Sequence, residues 1–260
     1  MIELSTILGF YPPQITNNVA FHKHILKEYV ELLSLEFLSR SPYVPQLAFI
    51  GGTNLRLVYG IDRFSEDLDF DCKDFNESQF IEMTDTLIDY LRMNGLQAEP
   101  RDKANEKLTA FRRNIFFPGL LFELDLSGHR DERFLMKVEA QDQGYQPEMA
   151  MVNRCGFFFA LPVPSLSVML SMKLSALLTQ AKGRDFYDTI FLWQRTDPDY
   201  GFLKLRCGIG HPDELRQALD SLLSRIDLNS KRRDFEHILF NASRSEQVLY
   251  FEAFVKEKLG

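Results

Sequence analysis

AFIGGTNLRLVYGIDRFSEDLDFDC, residues 48–72, is the stretch from which the fold is read. Leu47-Ala48-Phe49-Ile50 is a short apolar run cut off by Gly51-Gly52, which predicts a buried strand ending in a tight turn. Two glycines place no Cβ in the way, so the backbone there can lie close to a bulky ligand. Thr53 is expected to cap a short helix over Asn54–Tyr59, leaving free amides in the turn as a seat for phosphate. Further on, Asp67-Leu68-Asp69-Phe70 alternates acid and apolar residues. A strand has a side-chain period of two, so Asp67 and Asp69 share one face while Leu68 and Phe70 enter the core.

Two carboxylates on one strand face repel each other unless a cation lies between them. Mg²⁺ takes one or two protein carboxylates and completes its shell with waters and substrate phosphates. Either half of the stretch alone would suit a solvated acidic strand beside an ordinary turn. Together, in this order, they read as a phosphate cradle next to a metal pair.

The flanking sequence fills in an α+β architecture. Pro12-Pro13 predicts an irregular arm over residues 1–18, and Phe21–Leu38 reads as a helix with Ile25, Tyr29, Leu32 and Leu33 on its apolar side. Its His22 and His24 read as surface residues. Asn76 or Ser78 is expected to cap a second helix that stops near Gly95. Three strands follow in this reading: 108–117, 119–127 and 133–141, the last two joined as a hairpin through residues 128–132. Residues 142–164 read as loop-rich, with Phe157-Phe158-Phe159 as a strand or docking segment and a domain boundary near residue 160. Ser165 caps the next helix, 166–180, and Ala181-Lys182-Gly183 breaks it before a helix carrying Asp185 and Asp188 on one face. Further helices are expected over 212–224, 229–241 and 243–259.

A third acid near the metal pair must come from the later strands, and Glu123, Asp125 and Glu139 are the candidates. Lys173 sits among apolar neighbours, where a lysine commonly reaches past them to water. Asp185 suits the first turn of its helix, where the dipole favours an acid.

Composition narrows the classes. The chain has 260 residues, 45% hydrophobic and 26% charged, with 23 Phe, enough for a sizeable core in one large domain or two small ones. A net charge of −7 argues against a general polyanion binder, so an RNA substrate would need a local basic patch. Arg101, Lys103, Lys107, Arg112 and Arg113 are candidates, although interleaved acids suggest a solvated face. The three cysteines are widely spaced, which suits a reduced cytoplasm and not a zinc cluster. Neither a signal peptide nor a membrane span is expected.

The pattern GG-T-x-L-R-L-x-Y-G-x-x-R-F-S-E-D-L-D-F resembles the signature of the AbiEii/AbiGii toxin family, within the DNA polymerase β-like nucleotidyltransferase superfamily. Asn54 departs from it, standing where a small residue such as Ala is expected. The strand Met136-Lys137-Val138-Glu139 and the segment K-L-S-A-L…K-G-R-D-F-Y-D are similar to later parts of the family pattern, so the likeness spans roughly residues 47–72 and 135–193.

The resemblance implies a polymerase β-like core with a mixed sheet over 1–160 and a helical C-terminal domain over 161–260. It implies Asp67, Asp69 and Glu139 as catalytic metal ligands, with Asp125 second choice for the third acid. Gly51, Gly52, Thr53 and Arg56 would bind nucleotide. Lys173 would touch the phosphates, and Asp188 or Asp185 would orient it. Mg²⁺, with Mn²⁺ as a substitute, is the implied cofactor and a nucleoside triphosphate the implied substrate. Such proteins act in the cytoplasm as toxins of toxin–antitoxin or phage-defence pairs with a cognate antitoxin, and several add nucleotides to tRNA. An antibiotic-type transferase on a small molecule is the alternative enzyme. A non-catalytic binding module on the same fold is the alternative from another class.

Overall fold

The apolar run Leu47–Ile50 forms the first strand of a five-stranded sheet in the computed structural model, which describes residues 3–101, 110–142 and 144–260. The chain divides into two units. The first is Met1–Gly60 with Phe64–Val163, and the second is Ile61–Arg63 with Pro164–Gly260.

In the first unit, two short helices, α1 (Leu4–Leu8) and α2 (Pro13–Thr16), replace the irregular arm. Pro13 takes the first helical position, where its missing N–H costs nothing, so the Pro pair starts a helix instead of preventing one. α3 (His22–Ser39) buries Ile25, Leu26, Leu32 and Leu35 completely. β1 (Leu47–Ile50) runs directly into α4 (Gly51–Leu57), and β2 (Asp67–Cys72) returns beside it. α5 (Glu77–Met93) opens on a reciprocal cap between Asn76 and Gln79. β3 (Glu99–Pro100) and β4 (Phe111–Phe116) follow.

The expected strand over residues 119–127 is not one. Gly119 adopts φ +71°, and α6 (Leu120–Glu123) turns there instead, burying Leu120 and Leu121. The alternation of F-E-L-D-L-S imitates a strand, but the left-handed Gly119 reverses the chain before it can pair. The expected hairpin through 128–132 disappears with it. β5 (Leu135–Gln141) remains. Residues 142–164 are less irregular than expected, because β6 (Glu148–Arg154) and β7 (Phe157–Val163) pair as an antiparallel ribbon. Its two-residue turn, Cys155-Gly156, has both φ angles positive, as such a hairpin requires.

The sheet order is β1-β2-β5-β4-β3. β2 and β5 are parallel and the other pairs antiparallel, so the sheet is mixed as the sequence suggests. A parallel pair needs a long crossover, and the segment between β2 and β5 supplies it with α5. Phe49, Leu68, Phe70, Val138 and Ala140 fill the core face of the sheet.

The second unit is helical. Ser165 caps α7 (Leu166–Gln180), which ends on left-handed Ala181, and α8 (Gly183–Trp193) follows. α9 (Tyr200–Cys207), α10 (Pro212–Leu223), α11 (Leu228–Arg233) and α12 (Phe251–Leu259) complete it. The two long helices expected over 229–241 and 243–259 are interrupted by 3₁₀ turns at Glu236–Ile238 and Ala242–Tyr250. Trp193, Phe186, Phe251, Leu174 and Leu215 pack its core. The three-residue piece Ile61–Arg63 belongs here because Arg63 bridges Leu239 and Asp62 O accepts from Phe240 N at 3.2 Å. Among the described residues no helix is long and apolar enough to cross a membrane.

Candidate active site

The acid-bearing face of β2 carries the first of the candidates. Leu68 and Phe70 are buried, while Asp67 and Asp69 are half-buried on the opposite face. The parallel ladder sets Asp67 beside Lys137 and Asp69 beside Glu139, and the next strand sets Arg112 beside Glu139. Like charges directly opposite on neighbouring strands repel, so two cations are interleaved with three carboxylates. Lys137 Nζ donates to Asp67 Oδ2 at 2.7 Å and lies 3.7 Å from Glu139 Oε1. Arg112 Nε donates to Glu139 Oε1. Burial pulls the Lys137 ammonium down, but the hydrogen bond and charge of Asp67, then Glu139 and Asp69, outweigh it and hold its pKa above the ordinary value.

Gly51 closes the other side of this patch. Its φ is +80°, and a Cβ added there would fall 3.0 Å from Asp69 Cγ and closer still to Oδ2. The turn and the carboxylate are therefore fitted to each other, and only glycine fits both the space and the backbone angle. Gly51→Ala is expected to lower whatever catalysis this carboxylate face supports about a hundredfold by displacing Asp69. The strained angle should lower stability by about 1–3 kcal/mol. Steady-state kinetics beside a thermal melt check both numbers, and wild-type activity in a folded variant would contradict the fit.

Thr53 does not cap the helix as expected. α4 starts one residue after Ile50 with no side-chain cap. The buried Thr53 hydroxyl instead donates to the Asp67 backbone carbonyl at 2.5 Å, clamping α4 to β2. Asn54 Nδ2 donates to Phe49 O at 2.7 Å, so this departure from the family pattern ties the same helix to β1. Gly52 lies between these fixed points on the first turn of α4.

Arg56 is placed differently from the expectation of a nucleotide contact. Its guanidinium is buried and donates to both oxygens of Glu28, at 2.8 and 3.1 Å, while Tyr11 donates to the same carboxylate at 2.9 Å. Burial disfavours the Arg56 charge, yet Glu28 more than compensates and raises its pKa. The pair binds α3 to α4 and leaves Arg56 committed to Glu28.

The second unit holds the remaining candidates. Asp188 is fully buried on α8 and accepts from Arg63 Nε at 2.7 Å, Arg63 Nη2 at 2.6 Å and Lys173 Nζ at 2.7 Å. Asp185 does different work: its Oδ2 accepts from the Lys182 N–H at 3.2 Å, closing the first turn of α8, and its Oδ1 stands 4.0 Å from Lys173 Nζ. Between the two acids, Asp188 is the one that fixes the lysine.

Asp125, the second choice for the third acid, lies in the turn after α6 with φ +56°, away from any strand, and Glu123 ends α6. Glu139 is the candidate that the sheet sets beside Asp69. Arg112 and Arg113, candidates above for a local basic patch, are paired with Glu139 and Asp85; Lys103 and Lys107 lie outside the described residues. Among the described residues no three His, Cys, Asp or Glu side chains converge as they stand on a point that could hold a metal ion. Lys137 and Arg112 neutralise two of the site carboxylates here.

The model of a family described as the nucleotidyl transferase AbiEii toxin, type IV TA system, matches residues 33–242. No curated protein matches the sequence. Among solved structures, MenT4, a nucleotidyltransferase toxin from Mycobacterium tuberculosis, superposes with a TM-score of 0.59 over 98% of this chain and 99% of its own, at 16% identity. JHP933 from Helicobacter pylori superposes with a TM-score of 0.53 over 91% of this chain and 93% of its own, at 19% identity. At such identities the likeness is one of fold.

Proposed function

This chain belongs to the AbiEii nucleotidyltransferase toxin family of type IV toxin–antitoxin systems, and from that premise we propose that it moves a nucleotide from a nucleoside triphosphate to a hydroxyl of tRNA with the help of Mg²⁺. The observation that supports this most is the sheet face on which Asp67, Asp69 and Glu139 occupy neighbouring positions, with Asp69 against Gly51. The donors fit a hard divalent cation, since all are carboxylate oxygens carried by a rigid sheet. Asp67, Asp69 and Glu139 would hold Mg²⁺ (or Mn²⁺), which supplies positive charge to the phosphoryl oxygens when bound.

The chain's own groups orient the rest. Lys137 fixes the Asp67 carboxylate through its 2.7 Å hydrogen bond, and Arg112 fixes Glu139. Glu139 is the carboxylate assigned to draw the proton from the attacking hydroxyl. The backbone of Gly51, Gly52 and Thr53 cradles the triphosphate, and the Thr53 clamp keeps that turn at a fixed distance from Asp67. Lys173, whose ammonium is held by Asp188, is the cation the family pattern assigns to the phosphates. The reaction belongs in the cytoplasm, where triphosphates and tRNA are found, and a cognate antitoxin restrains it in a toxin–antitoxin or phage-defence pair.

The test is a labelling assay. Purified protein is incubated with Mg²⁺, each α-labelled nucleoside triphosphate in turn, and total tRNA, beside an Asp67→Asn protein. Label on tRNA with the wild type alone is the expected result. Label on the protein itself, or on an added small amine or hydroxyl compound, would replace RNA as the acceptor. Triphosphate binding without transfer to any of these would mark a binding module.

A further inference from the structure

The sheet face that carries the carboxylates continues past them. Asn114 stands beside Lys137, and two residues on, along the same face of β4, Phe116 stands beside Leu135. Past Phe116 opens a cavity of about 400 Å³ whose lining includes Arg101, Phe116, Gly119, Arg130 and Arg133. The Arg101 guanidinium lies over the Phe116 ring, 4.5 Å from its centroid. Gly119 leaves the cavity wall bare, and a Cβ there would come within 4.0 Å of Arg130 Nε.

Charge and shape together name the ligand. The three arginines face two acids, Glu123 and Asp131, which leaves positive charge over. The neighbouring Arg112 and Arg113 are committed to Glu139 and Asp85, whereas Arg101, Arg130 and Arg133 are in no ion pair among the described residues. Guanidinium groups match phosphodiester oxygens, and a Phe–Arg stack is a platform for a nucleobase. An acidic peptide would use the charge but leave the flat platform without a partner. The cavity also lies on the carboxylate-bearing face: Phe116 is two strand spacings across from β2, about 10 Å, and four residues along from the Asp69 level, about 13 Å, or about 16 Å in all. That is the reach of two or three nucleotides of single strand.

We infer that this cavity seats the single-stranded end of the acceptor RNA. Arg130 and Arg133 hold phosphates, and the Phe116–Arg101 pair stacks a base upstream of the reacting hydroxyl. The assignment rests on the RNA-acceptor reading above.

The experiment measures binding of a short fluorescent single-stranded RNA with a free 3′ hydroxyl, by anisotropy across a salt series. It compares wild type, R130A/R133A and R130K/R133K, with RNA labelling and triphosphate affinity followed in parallel. Loss of both arginines should weaken RNA binding about tenfold or more and lower the salt slope by about 1.4, with triphosphate affinity retained. The lysine pair should keep the slope. Unchanged RNA binding in R130A/R133A, while the wild type labels RNA, overturns the cavity assignment alone. Equal loss in both pairs means a structural role and overturns it too. A wild type that neither binds nor labels RNA removes the acceptor reading, and this assignment with it.

Discussion

Asp69→Asn cuts nucleotide transfer about a thousandfold, the loss expected when one charged oxygen donor is taken from a phosphoryl-transfer site. The substitution keeps the shape of the side chain, so its contact with the Gly51 turn survives. What changes is charge. Asp69 stands directly beside Glu139 in the parallel ladder, and removing one of two facing carboxylates relieves repulsion. Removing the charge also gives up the attraction of Asp69 to Lys137, so the two effects offset and stability is little changed while activity collapses. A thermal melt and a single-turnover assay on the same preparation read the two effects apart. A stable Asp69→Asn protein with wild-type turnover would show that the carboxylate face is not where transfer occurs.

Asp188→Ala carries the largest expected cost in stability, about 3–5 kcal/mol, because it removes the carboxylate that two buried cations share. The side chains of Arg63 and Lys173 are 1% and 12% exposed, so neither can turn to water for compensation. Against a typical total of about 5–15 kcal/mol, the second unit would be close to unfolding. Acid should do the same more gradually. Burial alone would raise the Asp188 pKa, but Arg63 and then Lys173 overcome it and hold the carboxyl down at about 2, against an unfolded value of 3.8. A depressed folded pKa means stability that is fully present above about pH 4 and lost as the pH falls toward 2, about 2 kcal/mol in all. Denaturant melts between about pH 5 and about pH 2 should show this acid limb in the wild type and not in Asp188→Asn.

What could be read from the sequence was what is local. Strand β1 and the acid–apolar alternation of β2 are nearest-neighbour patterns, and each lies where its spacing places it, while the helix expected over Asn54–Tyr59 starts earlier and takes in both glycines as Gly51–Leu57. The Ser165 and Asn76 caps were legible for the same reason. The same local reasoning failed at Gly119–Ser127, where alternation suggests a strand but one left-handed glycine turns the chain. Partners far apart in sequence carry no local signal. Arg56 with Glu28 across 28 residues, and the setting of Lys137 against Asp67 across 70, follow from packing and strand order, which spacing does not encode. Lys137 was visible as part of the KVE pattern, but nothing in that pattern assigns its ammonium to Asp67.

The bond between Arg63 and Asp188 spans 125 residues, and it joins an early three-residue piece to a unit otherwise made of the last part of the chain. During synthesis the guanidinium emerges on the order of ten seconds before its carboxylate, at ordinary ribosomal speeds. A chain released early, or cut near residue 163, presents that cation without its counter-ion. The second unit thus cannot close until most of the message has been translated, and fragments from interrupted translation lack a finished helical half. For a toxin, this ties the appearance of a complete fold to the completion of the polypeptide.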